Sequence, residues 1–126
     1  MSEKDFFCGI NKPKDMSAIT DFEKKHTPVI NCPDVVTAGV PFTVSVKVGE
    51  IPHVMEEGHF VQWAVIESGE NPYCRVEFTP VFTKAEATVT LVKGAKHTKA
   101  TLRVLARCNL HGLWEASKEI QIKAGA

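Results

Sequence analysis

Thr98-Lys99-Ala100-Thr101-Leu102-Arg103-Val104-Leu105-Ala106-Arg107-Cys108-Asn109-Leu110-His111-Gly112-Leu113-Trp114 is the stretch that decides the fold. Ala100, Leu102, Val104 and Ala106 fall on one face of an extended chain, and Lys99, Thr101, Arg103 and Arg107 mostly on the other. A period of two with one apolar face is the pattern of a half-buried β-strand. Cys108 keeps the phase of the apolar face, so the sequence predicts a thiol pointing inward where the strand ends. Asn109 and Gly112 suit a turn, which folds His111 back toward the same place. A soft sulfur and a borderline nitrogen leaving one strand end supply half of a transition-metal site. The pair also fits a buried cysteine acting as a small hydrophobe beside a loop histidine. The rest of the chain must choose between the two.

Outward from this strand the alternation recurs. Trp114 to Lys123 follows as the last strand, and a polar turn, Lys93 to His97, precedes the quoted stretch. Phe42, Val44, Val46 and Val48 alternate with Thr43, Ser45 and Lys47 after Pro41, a second half-buried strand. His59 to Ser68 reads as a strand with His59, Val61, Trp63 and Val65 on one face. Tyr73 to Phe82 reads as another, with Cys74 in phase with Val76, Phe78 and Phe82 on a core face. Glu86 to Val92, Val35 to Gly39 and His26 to Cys32 are shorter candidates. Residues 1–25 hold Gly9 and Pro13 without a period, so they read as an irregular leader wrapping the domain, with a helical turn near Met16 to Phe22. About seven strands roughly ten residues apart, with no long helix, predict an all-β, antiparallel β-sandwich.

The chain has 126 residues, enough for one domain with a real core and too few for two. Fifteen basic residues balance fifteen acidic ones, which argues against a nucleic-acid or membrane-surface partner. No window reaches transmembrane length and the start lacks the apolar run of a signal peptide, so a cytoplasmic location is expected. Cys8, Cys32, Cys74 and Cys108 form no C-x-x-C pair and read as thiols.

Five histidines remain to be placed. His97 sits in a lysine-rich turn in phase with Lys99 and Arg103, which points it at solvent. His26, His53, His59 and His111 stand at the ends of elements or in loops. With Cys108 they gather four imidazoles and one thiol from three segments, and packing gives little reason for such convergence.

Three blocks carry a resemblance: Lys25-His26-Thr27-Pro28, Pro52-His53-Val54-Met55-Glu56-Glu57-Gly58-His59-Phe60, and Cys108-Asn109-Leu110-His111-Gly112-Leu113-Trp114. In content and order they resemble the superoxide reductases, the neelaredoxin and desulfoferrodoxin family, in the class that lacks the extra four-cysteine iron module. The resemblance implies an immunoglobulin-like sandwich and one non-haem iron per chain. It implies His26, His53, His59 and His111 in a plane around that iron, the Cys108 thiolate axial, and an open position opposite the sulfur. It implies one-electron reduction of superoxide to hydrogen peroxide, a rubredoxin-like electron donor, and assembly into a dimer or tetramer. Lys25 matches the family's lysine, expected to draw in superoxide and orient a proton-bearing water. The family's glutamate, a sixth ligand of the oxidised iron, is replaced by Lys24. Glu23 lies one residue back, and in an extended segment a one-residue slip turns a side chain to the other face.

Two other classes fit parts of the pattern. A blue-copper electron carrier wants two histidines, one cysteine and a weak axial methionine; Met55 could serve, but two histidines are then left over. A metal-free interaction module leaves all the matched histidines incidental.

Overall fold

The computed structural model describes residues 6–69 and 71–125. Residues 1–5 of the predicted leader, Glu70 of the turn before Asn71, and Ala126 lie outside the described residues. Among the described residues, nine strands pair into two sheets, accompanied by a short helix, α1 (Asp21–His26). The strands are β1 (Ile10–Asn11), β2 (Pro28–Asn31), β3 (Val35–Thr37), β4 (Phe42–Val48), β5 (Val61–Ser68), β6 (Asn71–Glu77), β7 (Glu86–Leu91), β8 (Lys99–Cys108) and β9 (Gly112–Lys123). The larger sheet runs β1-β9-β8-β5-β6, with β3 also on β9, and the smaller runs β2-β4-β7.

The alternating residues of β4 and β8 explain why the sheets face each other. Val44, Leu102 and Val104 are fully buried, and with Val46, Ile66, Ile120 and Ile122 they form the main core between the sheets. Removing such a side chain from water contributes about 1.5–3 kcal/mol. A second cluster, with Val48, Val61, Ala64, Phe78 and Ala106, gathers residues flanking the loop of His53 and His59. The long β8–β9 hairpin sets Cys108 opposite Gly112, and β5 sets Val61 opposite Cys108. The predicted sandwich is therefore present. Its main pairings are antiparallel, while β1 and β3 add to β9 in parallel.

The structure corrects four local expectations. His26 does not begin a strand; it ends α1, and the helix lies later than the helical turn expected near Met16 to Phe22. The face expected to unite His59, Val61, Trp63 and Val65 is broken by a bulge between Val61 and Trp63. Beyond it Ala64, Ile66 and Ser68 turn inward while Trp63 and Val65 are only half-buried. An extra residue in one strand re-aims every side chain after it. The strand from Tyr73 ends at Glu77, so Phe82 is not core but 85% exposed, on a turn in which Thr83 N–H donates to Thr79 O. Cys74 does pack against the main core, half-buried.

Candidate metal centre

Three pieces of chain meet at one pole of the sandwich. The first is α1, whose residues show why so short a helix forms. Thr20 accepts the Glu23 N–H at 3.1 Å while Glu23 Oε1 accepts the Thr20 N–H at 2.9 Å, a complete capping box. Asp21 and Glu23 lie in the first turn and Lys24, Lys25 and His26 in the last, which suits the helix dipole. His26 is buried, and its Nδ1 lies 2.8 Å from Phe22 O. A carbonyl accepts only from N–H, so the proton sits on Nδ1 and the lone pair on Nε2.

The second piece is the loop from Gly49 to Phe60. Gly49 lies so close to α1 that an added Cβ would collide with Lys24 O and come within 2.8 Å of Thr27 O. The His53 N–H donates to Val48 O at 2.9 Å, and His53 Nδ1 lies 2.6 Å from Val54 O, which again leaves Nε2 with the lone pair. His59 closes a tight turn with Glu56 through reciprocal backbone bonds of 2.9 and 3.1 Å.

The third piece is the turn between β8 and β9. Cys108 is buried, and burial pushes its thiol pKa up, while the amides of Leu110 and His111 hydrogen-bond the sulfur and oppose that shift. The Asn109 side chain locks this turn to the second piece. Its Oδ1 accepts the Phe60 N–H at 2.9 Å, and its Nδ2 donates to Gly58 O at 3.1 Å. Trp114 Nε1 donates to His111 O at 2.9 Å.

The four predicted imidazoles form a ring. Centroids of successive members, His26–His53, His53–His59, His59–His111 and His111–His26, are 4.8, 4.7, 5.1 and 4.9 Å apart, with planes 73–87° apart. His26 and His59 face each other across it at 6.2 Å. Ligand atoms of His26, His59, Cys108 and His111 all lie within 4.8 Å of one another, and His53 completes the ring beside that group. His26 Nε2 is 3.1 Å from His111 Nδ1, which in turn is 3.6 Å from Cys108 Sγ.

Among the described residues, the buried side-chain atoms without a hydrogen-bond partner are Thr27 Oγ1, His53 Nε2 and His59 Nε2. Leaving such an atom unsatisfied costs about 1–3 kcal/mol. Two of the three are imidazole nitrogens in the ring, and a bound cation would remove their cost. Burial pushes the His26 pKa down to about 4 and lowers that of His53 as well, so both are neutral at neutral pH, as ligands must be. Nitrogen and sulfur donors in this number fit a transition metal. They exceed the four that close a structural zinc site.

Other predicted residues stand apart from the ring. Lys25 is exposed, at the end of α1, and its charge bears on His53. Glu23 is turned away: one oxygen closes the capping box and the other accepts the Lys14 N–H at 3.0 Å. Met55 Sδ accepts the Val61 N–H at 3.4 Å, so the candidate axial ligand of a copper site serves the loop instead. His97 is exposed. Asn109 and Trp114 were legible as motif letters, and their hydrogen bonds were not. The capping box could have been read from Thr20-x-x-Glu23.

A β-sandwich that closes one pole with a ring of imidazoles and a buried thiol belongs to the metal-binding all-β proteins. The chain is a member of the Desulfoferrodoxin family, whose model matches residues 18–117. It is 47% identical over 118 residues to a Methanocaldococcus jannaschii protein provisionally named a superoxide reductase, covering 93% of this chain and 97% of that one. It is 37% identical over 110 residues to the superoxide reductase of Pyrococcus horikoshii, covering 79% and 89%. A substituted form of the superoxide reductase (neelaredoxin) of Ignicoccus hospitalis superposes with a TM-score of 0.79 at 34% identity, covering 90% of this chain and 94% of that one.

Proposed function

We propose that this chain is a superoxide reductase, a single domain that reduces superoxide to hydrogen peroxide at one non-haem iron held by His26, His53, His59, His111 and Cys108. The observation that carries this is the ring of four imidazoles with orphaned nitrogens and a buried sulfur against it, in a chain of this family. When bound, iron would supply the single electron that, with two protons, converts superoxide to hydrogen peroxide. Among the described residues one group of ligand atoms comes together, which supports one iron per chain.

The chain's own residues supply the rest. Phe22 O and Val54 O hold the Nδ1 protons of His26 and His53, so each ring offers Nε2 inward. The Leu110 and His111 amides favour the charged form of the sulfur. Lys25, an exposed ammonium at the rim, attracts the superoxide anion and holds a water that can pass a proton to it. Glu23, committed to the helix cap, is a structural residue, and solvent takes the place that the family's glutamate fills. A rubredoxin-like protein is the proposed electron donor, and the cytoplasm the proposed location; among the described residues no helix is long and apolar enough to cross a membrane. Assembly into a dimer or tetramer is part of the same proposal and rests on the family resemblance alone.

The test is to reconstitute the purified chain with ferrous iron and measure peroxide formed per superoxide with a reductant present. Equal amounts are expected. A yield near half would show dismutation, and copper in place of iron in the protein as purified would favour an electron carrier.

A further inference from the structure

The leader meets the His111 turn through one side chain. β1 lies parallel to β9, with Ile10 opposite Leu113 and Asn11 opposite Trp114. Asn11 Nδ2 donates to Phe6 O and to Leu113 O, both at 2.8 Å, and lies 3.5 Å from His111 O. An amide NH2 has two hydrogens, so Phe6 and Leu113 take them and His111 O feels the same dipole at the edge of range. Gly112 lies between His111 and the bonded Leu113. Its φ is +76°, and an added Cβ would collide with Phe6 O. Trp114 Nε1 holds His111 O from within β9, while Asn11 ties the leader to Leu113 O two residues further on. The same bonds stand the Phe6 ring edge-on to His111 at 5.3 Å, against Phe22 and Trp114.

His111 faces the group through Nδ1, whereas His26 faces it through Nε2. Nδ1 is adjacent to the ring carbon that carries Cβ, so ligation through it is a short arm. A small turn of the His111 peptide displaces the ligand atom with little chance for the side chain to compensate. A functional site has to be held to within about 0.5 Å.

We propose that Asn11 is a positioning residue: by tying Phe6 of the leader to Leu113, just past Gly112, it sets the orientation from which His111 presents Nδ1. This rests on the reading of His111 as a metal ligand.

Metal-free wild-type, Asn11→Ala, Asn11→Asp and Val36→Ala proteins are titrated with Co2+ and followed by the thiolate absorption band. The iron-loaded ferric forms are compared by EPR. Loss of Asn11 should weaken Co2+ binding about 10- to 100-fold, the usual effect of removing a group that orients a ligand, and should shift the ferric EPR signal. Asn11→Asp keeps the side-chain shape but offers the carbonyls no N–H, so its loss should match or exceed that of Asn11→Ala. Val36→Ala truncates the core beside the far end of β9 and should lower stability while leaving Co2+ affinity unchanged. Wild-type affinity and EPR signal in Asn11→Ala would overturn the proposal, as would Asn11→Asp binding better than Asn11→Ala. Should Asn11→Ala fail to fold, unchanged affinity in Asn11→Ser would overturn it equally. Failure of the wild-type chain to bind Co2+ would instead remove the metal-site reading, and this inference with it.

Discussion

The two arms of the site are held by different physics. Cys108 and His111 hang from the β8–β9 hairpin, whose ladder runs from Lys99↔Gln121 to Cys108↔Gly112. Backbone pairing fixes that arm as far as Cys108, and side-chain bonds from Trp114, Asn109 and Asn11 orient the turn beyond it. His26 hangs from a helix of six residues, and His53 and His59 from a loop. Isolated helices shorter than about 12 residues are marginal in water, so this arm depends on the Thr20–Glu23 cap and on close contact with Gly49. Each arm also carries a glycine pressed against a backbone carbonyl: Gly112 on Phe6 and Gly49 on Lys24. The difference is that only Gly112 also needs a positive φ. A site can thus be built from one rigid edge and one side kept in place by a few directed bonds.

The sharpest test of the rigid arm is Cys108→Ser. Loss of the only cysteine in the ligand group should abolish the sulfur-to-iron absorption of the oxidised protein and lower reductase activity by more than about 100-fold. A surviving sulfur band would break the assignment. Next come the two glycines. Gly112→Ala combines backbone strain with a collision and should cost about 2–4 kcal/mol by chemical denaturation. Gly49→Ala has the collision alone and should cost about 1–3 kcal/mol. Equal costs would erase the distinction drawn between the arms.

Glu23→Ala probes the directed bonds of the helix arm. Loss of its half of the capping box should cost about 1 kcal/mol, yet leave the absorption maximum of the ferric protein in place. A shifted maximum would mean that the carboxylate does reach the iron. The N–H groups of Thr20 and Lys14 hold the Glu23 pKa below its ordinary 4.5. The folded state therefore prefers the carboxylate. Its contribution is complete above that ordinary value and is lost as pH falls through the lowered folded one. Wild type should accordingly lose more stability than Glu23→Ala when melted at successively lower pH in that range.

Lys25→Ala should have a smaller effect. The ammonium is exposed, so the water-like Coulomb figure applies: about 0.7 kcal/mol at about 6 Å, or roughly threefold in the rate with superoxide. That rate should also fall with added salt, and an unchanged rate would remove Lys25 from substrate capture. Last, His97→Ala lies outside both arms and should alter neither metal content nor rate.

The rigid arm was the legible one. Alternation in β4 and β8 needs nothing beyond residue order, and Cys108 continues the phase of Leu102, Val104 and Ala106 to its buried place. The helix arm left a fainter trace, because six residues do not establish a 3.6-residue period. In an extended segment a one-residue slip would turn Glu23 to the opposite face. In a helix the same slip is about 100°, and what turns Glu23 away is its pair of bonds to Thr20 and Lys14. The bulge after Val61 carries no glycine or proline to mark it. Asn11 and Asn109 bond to partners distant in sequence, and such bonds leave no local pattern. The five residues proposed as ligands are legible instead in their motifs, which keep their spacing whatever the local geometry.

The parallel pairing of β1 with β9 has a consequence for how the chain comes together. The β8–β9 hairpin closes over a few residues, whereas Asn11 and Leu113 are 102 residues apart in sequence. Contacts across long loops form late, because the entropy of closing the loop is lost before they return anything. The hairpin that carries Cys108 and His111 should therefore form early, with the leader settling over it near the end of folding and the flank of His111 that Phe6 covers open to solvent until then. In pulse-labelled hydrogen exchange during refolding, the amides of β8 should gain protection before those of Ile10 and Asn11.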